Sequence, residues 1–369
     1  MSFLHCTPSV FVIEEEYEIL CLLTGPGLFS IRVGEETYYE ENAGALPTER
    51  TVAKVRVPMA ALNAAGRYEL VYRRDIDRKA YFSLFEDEET LSFDFSPLPA
   101  TGDINIYFTA DVHCCFESAE RTVSYFGDDL HLLIAAGDIA EVEKEEDFEK
   151  VAAFLGRVAG GRLPILMVRG NHDTRGHLAE RFTKYFPAVG QNTYYSFDLG
   201  RFAGVVLDCG EDKPDDHREY GAKYNGAAVY NGTNVFERFR RRETEFLKGL
   251  TLPKDRPLIA ISHIPPAMTT SHKGDVFDIE RELYTEWNRE LDRLGINVML
   301  AGHLHRFFLA ESGDERSTSP HGYPLLVAAE LHGYKTVFGT AITLTEEGMT
   351  YRFTGNDHEV VGEGYIPFS

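Results

Sequence analysis

INIYFTADVH (residues 104–113), HLLIAAGD (131–138), LPILMVRGNHD (163–173), RPLIAISH (256–263) and INVMLAGHLH (296–305) decide how this chain is read. Each is a short apolar run that ends in Asp, Asn or His. Runs of this length, bounded by loop residues, read as buried strands. An open α/β sheet binds its ligand at the carboxyl ends of its strands. Asp111, His113, Asp138, Asn171, His263, His303 and His305 are therefore expected along one sheet edge. Any single piece is weak, because an isolated histidine after a strand is usually structural. Five pieces in order point to a metal centre.

The ligand chemistry narrows the metal. Oxygen donors mixed with imidazoles, without thiolate, suit Mn, Fe, Zn or Co better than a structural zinc cage or calcium. Seven ligands exceed what one first-row ion usually takes from a protein. Two ions sharing one carboxylate resolve the count, and two-metal sites suit in-line displacement at phosphorus. Gly137 and Gly302 precede Asp138 and His303 and allow tight turns out of the strands.

Outward from these blocks the pattern is strand, loop, helix. DFEKVAAFLGRVAGG (147–161) and IERELYTEWNRELDRLG (279–295) carry apolar residues at helical spacing and stop at Gly. HLAERFTKYFP (177–187) reads as a short helix, and NVFERFRRRETEFLKGL (234–250) as a long helix with a basic face. YYSFDLG and FAGVVLDCG read as paired strands. The segments after residue 322 read as closing strands. Residues 1–98 differ: closely spaced Val/Ile/Tyr/Phe-rich segments with Gly, Pro and Asn between them read as an antiparallel β-sandwich. SPLPATGD (96–103) is the expected linker. The expected division is a β-sandwich domain over 1–98 and a catalytic domain over 99–369.

Composition limits the partners. The 369 residues carry a formal charge of −22, which repels a polyphosphate backbone, so no stable nucleic-acid binding is expected. A small phosphorylated substrate remains compatible, because metal ions supply local positive charge. No run approaches a membrane span, and the N-terminus lacks a signal-peptide pattern. Five irregularly spaced cysteines suit reduced thiols, so a cytoplasmic location is expected. Cys114 and Cys115 read as packing residues near the site.

The ordered set D-x-H, G-D, G-N-H-D, H and G-H-x-H resembles the calcineurin-like metallophosphoesterase superfamily, over roughly residues 104–355. The resemblance implies an α/β fold, a four-layer αββα sandwich. The His in the first block resembles the bacterial class III cyclic-nucleotide phosphodiesterase branch. The N-terminal β region is similar to the fibronectin- or Ig-like domain that precedes purple acid phosphatases. Those enzymes carry a Tyr metal ligand where this chain has Glu141, so the tyrosinate-iron variant is not implied.

Residue by residue, the resemblance implies one ion held by Asp111, His113 and His305, a second by Asn171, His263 and His303, and Asp138 shared. Mn, Fe or Zn would fill the sites. His172 would face the phosphate as catalytic residue, stabilising or protonating the leaving oxygen, while a metal-activated hydroxide attacks phosphorus. A phosphodiester is the expected substrate. The alternatives are an acid-phosphatase- or protein-phosphatase-like monoesterase and a non-catalytic metal-binding scaffold. Asp173 and Arg169 read as supporting groups. Asp212, Lys213 and His217 read as a solvated loop, with substrate contact as the alternative, and His272 and Lys273 as a mobile loop, with a lid as the alternative. His321, His332 and His358 read as structural, His332 least firmly.

Overall fold

A computed structural model describes residues 3–41, 44–215, 234–270 and 279–368. His217, His272 and Lys273 lie outside them.

Two sheets face each other. The first runs, in spatial order, Val360–Pro367, Gly348–Thr354, Thr336–Leu344, Ile104–Thr109, Leu132–Ala136, Pro164–Val168, Ser9–Ile13, Glu16–Leu22 and Val52–Pro58, with Glu330–His332 added onto Thr336–Leu344. The second runs Tyr195–Asp198, Ala203–Val206, Leu258–Ser262, Val298–Ala301, Leu325–Val327 and Phe308–Ala310. The strands that feed the candidate ligands are parallel within each sheet.

The apolar runs are continuous because both faces of each sheet are covered. Ile134 and Leu166 point inward to Ile259, Ile261 and Leu300 of the facing sheet. Their neighbours Leu133 and Ile165 point outward to Phe148, Val151 and Leu155 of the helix Glu145–Ala159. On the far side, Ala260 and Met299 meet Leu247 of the helix Glu237–Gly249 and Trp287 and Leu291 of the helix Arg281–Leu294. The result is helix, sheet, sheet, helix. HLAERFTKYFP forms a 3-10 turn, Ala179–Arg181, and a single helical turn, Phe182–Tyr185.

A third sheet holds Glu36–Tyr39, Gly27–Val33, Arg67–Arg78, Ser83–Phe85 and Glu89–Asp94. Its Ile31, Leu70 and Tyr72 pack against Val10, Ile19 and Val55. The first 98 residues thus do form a two-layer β arrangement. Hydrogen bonding, however, does not stop at residue 98. Ser9–Ile13 pairs in parallel with Pro164–Val168, in the register Val10 to Pro164, so the inner layer of the sandwich is the continuation of the first sheet. The segments after residue 322 are likewise divided: Leu325–Val327 joins the second sheet, and Thr336–Leu344 pairs antiparallel with Ile104–Thr109 in the first. A short helix, Met59–Ala65, sits between Pro58 and a left-handed Gly66, the Pro-before, Gly-after punctuation of a helix.

Candidate metal centre

All seven strand-end residues meet at the carboxyl edge. Asp111, Asp138, Asn171 and His263 are buried. The loops that carry them are laced by backbone bonds: Asp111 N–H donates to Gly137 O (3.1 Å), His113 N–H to Asp138 O (3.0 Å) and Gly302 N–H to His263 O (3.1 Å). The close approach needs glycine. A Cβ on Gly137 would stand 2.6 Å from Gly170 N, and one on Gly302 would stand 2.7 Å from Asp111 Oδ2.

Asp111, His113, Asp138, His303 and His305 all have positive φ, between 43° and 68°. Left-handed backbone costs a non-glycine residue about 1–2 kcal/mol, and such strain gathers at functional sites. Each turn throws its side chain back toward the others.

Two groups of donors form. In the first, Asp111 Oδ1 lies 3.1 Å from His305 Nε2, and ligating atoms of Asp111, His113 and His305 all lie within 4.8 Å of one another. In the second, Asn171 Oδ1 lies 3.1 Å from both His263 Nε2 and His303 Nδ1. Asp138 Oδ2 reaches both groups, 3.1 Å from His263 Nε2 and 3.8 Å from His113 Nε2.

The proton arithmetic of these groups calls for a cation. His263 Nδ1–H donates to Ala136 O at 2.7 Å, since a carbonyl only accepts. A neutral His263 then turns a bare Nε2 toward two further acceptors, Asp138 Oδ2 and Asn171 Oδ1. Asp111 Oδ1 and His113 Nε2 are buried without a hydrogen-bond partner. Converging acceptors of this kind suit a metal ion. With protons alone, burial opposes a charge on His263, but Asp138 and Asp111 push its pKa up to about 10. Burial and the neighbouring His263 hold His303 down at about 4, neutral.

The surrounding groups orient the donors. Asn171 Nδ2 donates to Asp212 Oδ2 at 3.2 Å, which turns its Oδ1 into the site. Asp173 Oδ2 accepts from Asp138 N–H (3.0 Å) and Gly170 N–H (2.8 Å). Burial and then Asp138 push the Asp173 carboxyl up to about 7. Arg169 turns away, with Nε 2.8 Å from Asp208 Oδ2. His172 Nε2 lies 2.9 Å from Arg175 Nη1, and its Nδ1 lies 3.4 Å from Glu141 Oε1. Arginine only donates, so Nε2 accepts and the ring proton of neutral His172 sits on Nδ1. Burial, opposed by Asp138 and reinforced by Arg175, holds His172 at about 4.

One sequence expectation is corrected here. The start of the loop after Val206 is not solvated: Glu211 is fully buried, and Arg175 binds it bidentately through Nε (2.8 Å) and Nη2 (2.5 Å). The helix Glu237–Gly249 does expose a basic face through Arg238, Arg241 and Arg242, but it buries Arg240, whose Nε donates to Cys209 O at 2.8 Å and whose Nη2 donates to Glu211 O at 2.5 Å. Arg175 itself gave no signal in the sequence beyond lying three residues past His172. His321 and His358 are taken up elsewhere, by Tyr323 O and Arg121 O. His332 pairs with Glu330.

The calcineurin-like phosphoesterase family model matches residues 104–307, more than half of the chain. A probable cyclic nucleotide phosphodiesterase of Rhodopseudomonas palustris is 26% identical over 184 residues, which is 48% of this chain and 58% of that protein. The chain thus spans little more than half the length of that relative. Among solved structures, the purple acid phosphatase PPD1 of yellow lupin superposes with a TM-score of 0.61 at 11% identity, covering 98% of this chain and 74% of that one. PhoD gives a TM-score of 0.59 at 10% identity, covering 99% and 89%. These two share the fold, in agreement with an α/β sandwich joined to a β domain. With the family model matched across all five ligand blocks, the chain belongs to the calcineurin-like phosphoesterase family.

Proposed function

We propose that the chain is a binuclear metal-dependent phosphohydrolase that cleaves phosphodiesters. The observation that carries the reading is Asp138 Oδ2 placed between two donor groups, 3.1 Å from His263 Nε2 and 3.8 Å from His113 Nε2. In this reading Asp111, His113 and His305 hold one ion, Asn171, His263 and His303 hold the other, and Asp138 serves both. The donor set suits Mn, Fe or Zn. Ions so held lower the pKa of bound water and neutralise charge on phosphoryl oxygens.

The chain's own groups do the rest. His172 enters neutral, with its proton on Nδ1, and gives that proton as a hydrogen bond to an ester oxygen. Arg175 holds the ring by Nε2. The charge of Arg175 is already matched by Glu211 and Asp212, which leaves little for the second negative charge of a monoester. A diester asks for less. The relative from Rhodopseudomonas palustris, a probable cyclic nucleotide phosphodiesterase, supports the same choice.

The ligands all fall within the proposed catalytic part, residues 99–369, and residues 1–98 are proposed to brace it. No helix among the described residues is long and apolar enough to cross a membrane. All five cysteines are free thiols, in keeping with a proposed cytoplasmic location and a small phosphate ester, not nucleic acid, as partner. Turnover of bis(p-nitrophenyl) phosphate against p-nitrophenyl phosphate, with added manganese, tests the reading. Faster cleavage of the monoester would sink the diester assignment.

A further inference from the structure

Tyr334 stands where neither packing nor turn chemistry asks for tyrosine. It lies in the turn after the strand Glu330–His332, closed by Lys335 N–H donating to His332 O at 3.1 Å. Gly333 and Tyr334 have φ of 57° and 53°. Turns with two left-handed central residues favour Gly, Asn or Asp, and a bulky residue there is a true outlier. The side chain earns no burial in return, since Tyr334 is 73% exposed. Its ring nevertheless lies 6.0 Å from that of His113, at 71°. The turn is also tied to the first ligand loop, because Cys115 Sγ–H donates to Tyr334 O at 3.3 Å. An exposed aromatic ring is thereby held, against its backbone preference, beside a candidate metal ligand.

We propose that Tyr334 is a specificity residue, a platform that receives a planar aromatic group carried by the phosphate ester. This rests on the phosphohydrolase reading above. Stacking on an aromatic side chain is sequence-tolerant and strong enough to choose between substrates. The shared chemistry is a flat π face, which an aryl ester and a nucleoside ester both supply.

The test compares binding of phenylphosphonate, methylphosphonate and adenosine 5′-monophosphate to the manganese-loaded protein by calorimetry, together with thermal melting of the protein alone. Wild type should favour phenylphosphonate over methylphosphonate by about five- to a hundredfold, the range that stacking supplies. Tyr334→Phe should keep that ratio. Tyr334→Asn, which accepts left-handed backbone, should lose it while melting at a higher temperature. A larger Tyr334-dependent gain for the nucleotide than for the phenyl compound would identify a nucleobase as the natural ring. If Tyr334→Asn keeps the wild-type ratio, the platform is wrong while the phosphohydrolase reading stands. If wild type binds none of the three, that reading falls and the platform with it.

Discussion

Arg175 Nη1 lies 2.9 Å from His172 Nε2 while the same guanidinium grips buried Glu211 through Nε and Nη2. One side chain therefore fixes the proton position of His172 and pairs with a buried carboxylate. Arg175→Ala should lower kcat by about ten- to a hundredfold, the scale for groups that orient a site. It should also destabilise the fold by about 1–3 kcal/mol, because buried Glu211 loses its bidentate partner and keeps Lys213 Nζ at 3.5 Å and the Asp212 N–H at 2.9 Å, both on the same oxygen. Arg175 helps to hold the His172 pKa down. Its removal should raise that pKa, so the acid limb of the kcat profile should move to higher pH. An unmoved profile would mean that Arg175 acts on stability alone.

Metal binding should register as stability. Manganese at a hundredfold excess over its Kd should add about 2.7 kcal/mol per site, and chelation should remove it. Metal analysis of the loaded protein should give two ions per chain. In Asp138→Asn the count should fall to one or fewer, since the carboxylate between both groups is lost. Two ions bound with unchanged affinity would show that Asp138 is not shared.

Gly170→Ala probes the same centre without replacing a ligand. The new Cβ would press on the backbone N and Oδ1 of Asp138. Manganese affinity should weaken by at least about tenfold, with about 1–3 kcal/mol of stability lost to overpacking. Unchanged affinity in a titration would mean that the two loops can part without disturbing the donors.

Glu243 should tilt the stability profile with pH. Its carboxyl is buried, takes one bond from Asp208 N–H (3.0 Å) and leaves Oε2 without a partner. Burial and then Asp208 push its pKa well above the ordinary 4.5. Between 4.5 and the folded value the native state keeps a proton that the unfolded chain has lost. Stability from this group is therefore full at low pH and declines as pH rises, by at most about 1.4 kcal/mol per pH unit. Glu243→Gln should flatten the fall in melting temperature between pH 5 and pH 8. Parallel profiles for the two proteins would remove Glu243 from the account.

What could be read from the sequence was whatever depends on neighbours in the chain. INIYFTAD announces a doubly covered strand and the loop that leaves it, and five such signals place seven side chains on one edge. Arg175, Glu211 and Asp212 could not be read in this way. Their meaning lies in pairing across 36 and 37 residues, and in isolation they look like an ordinary charged loop. The left-handed backbone of Asp111 and its companions was also hidden, because only glycine advertises that conformation. The pairing of Ser9–Ile13 with Pro164–Val168 was hidden for the same reason as Arg175: a continuous apolar run specifies burial, not a neighbour.

That last pairing has a consequence for how the chain is made. Val10 meets Pro164, so 164 − 10 = 154 positions separate them. At about 5–20 residues per second, synthesis reaches the second strand roughly 8–30 s after the first. During that interval one edge of Ser9–Ile13 is covered by Glu16–Leu22 and the other is open, ready to pair with any other chain that offers a strand. The pairing of Ser9–Ile13 with Pro164–Val168 is expected to be among the later ones to form, and crowded translation of this protein to reward a chaperone that shields that strand until its partner emerges.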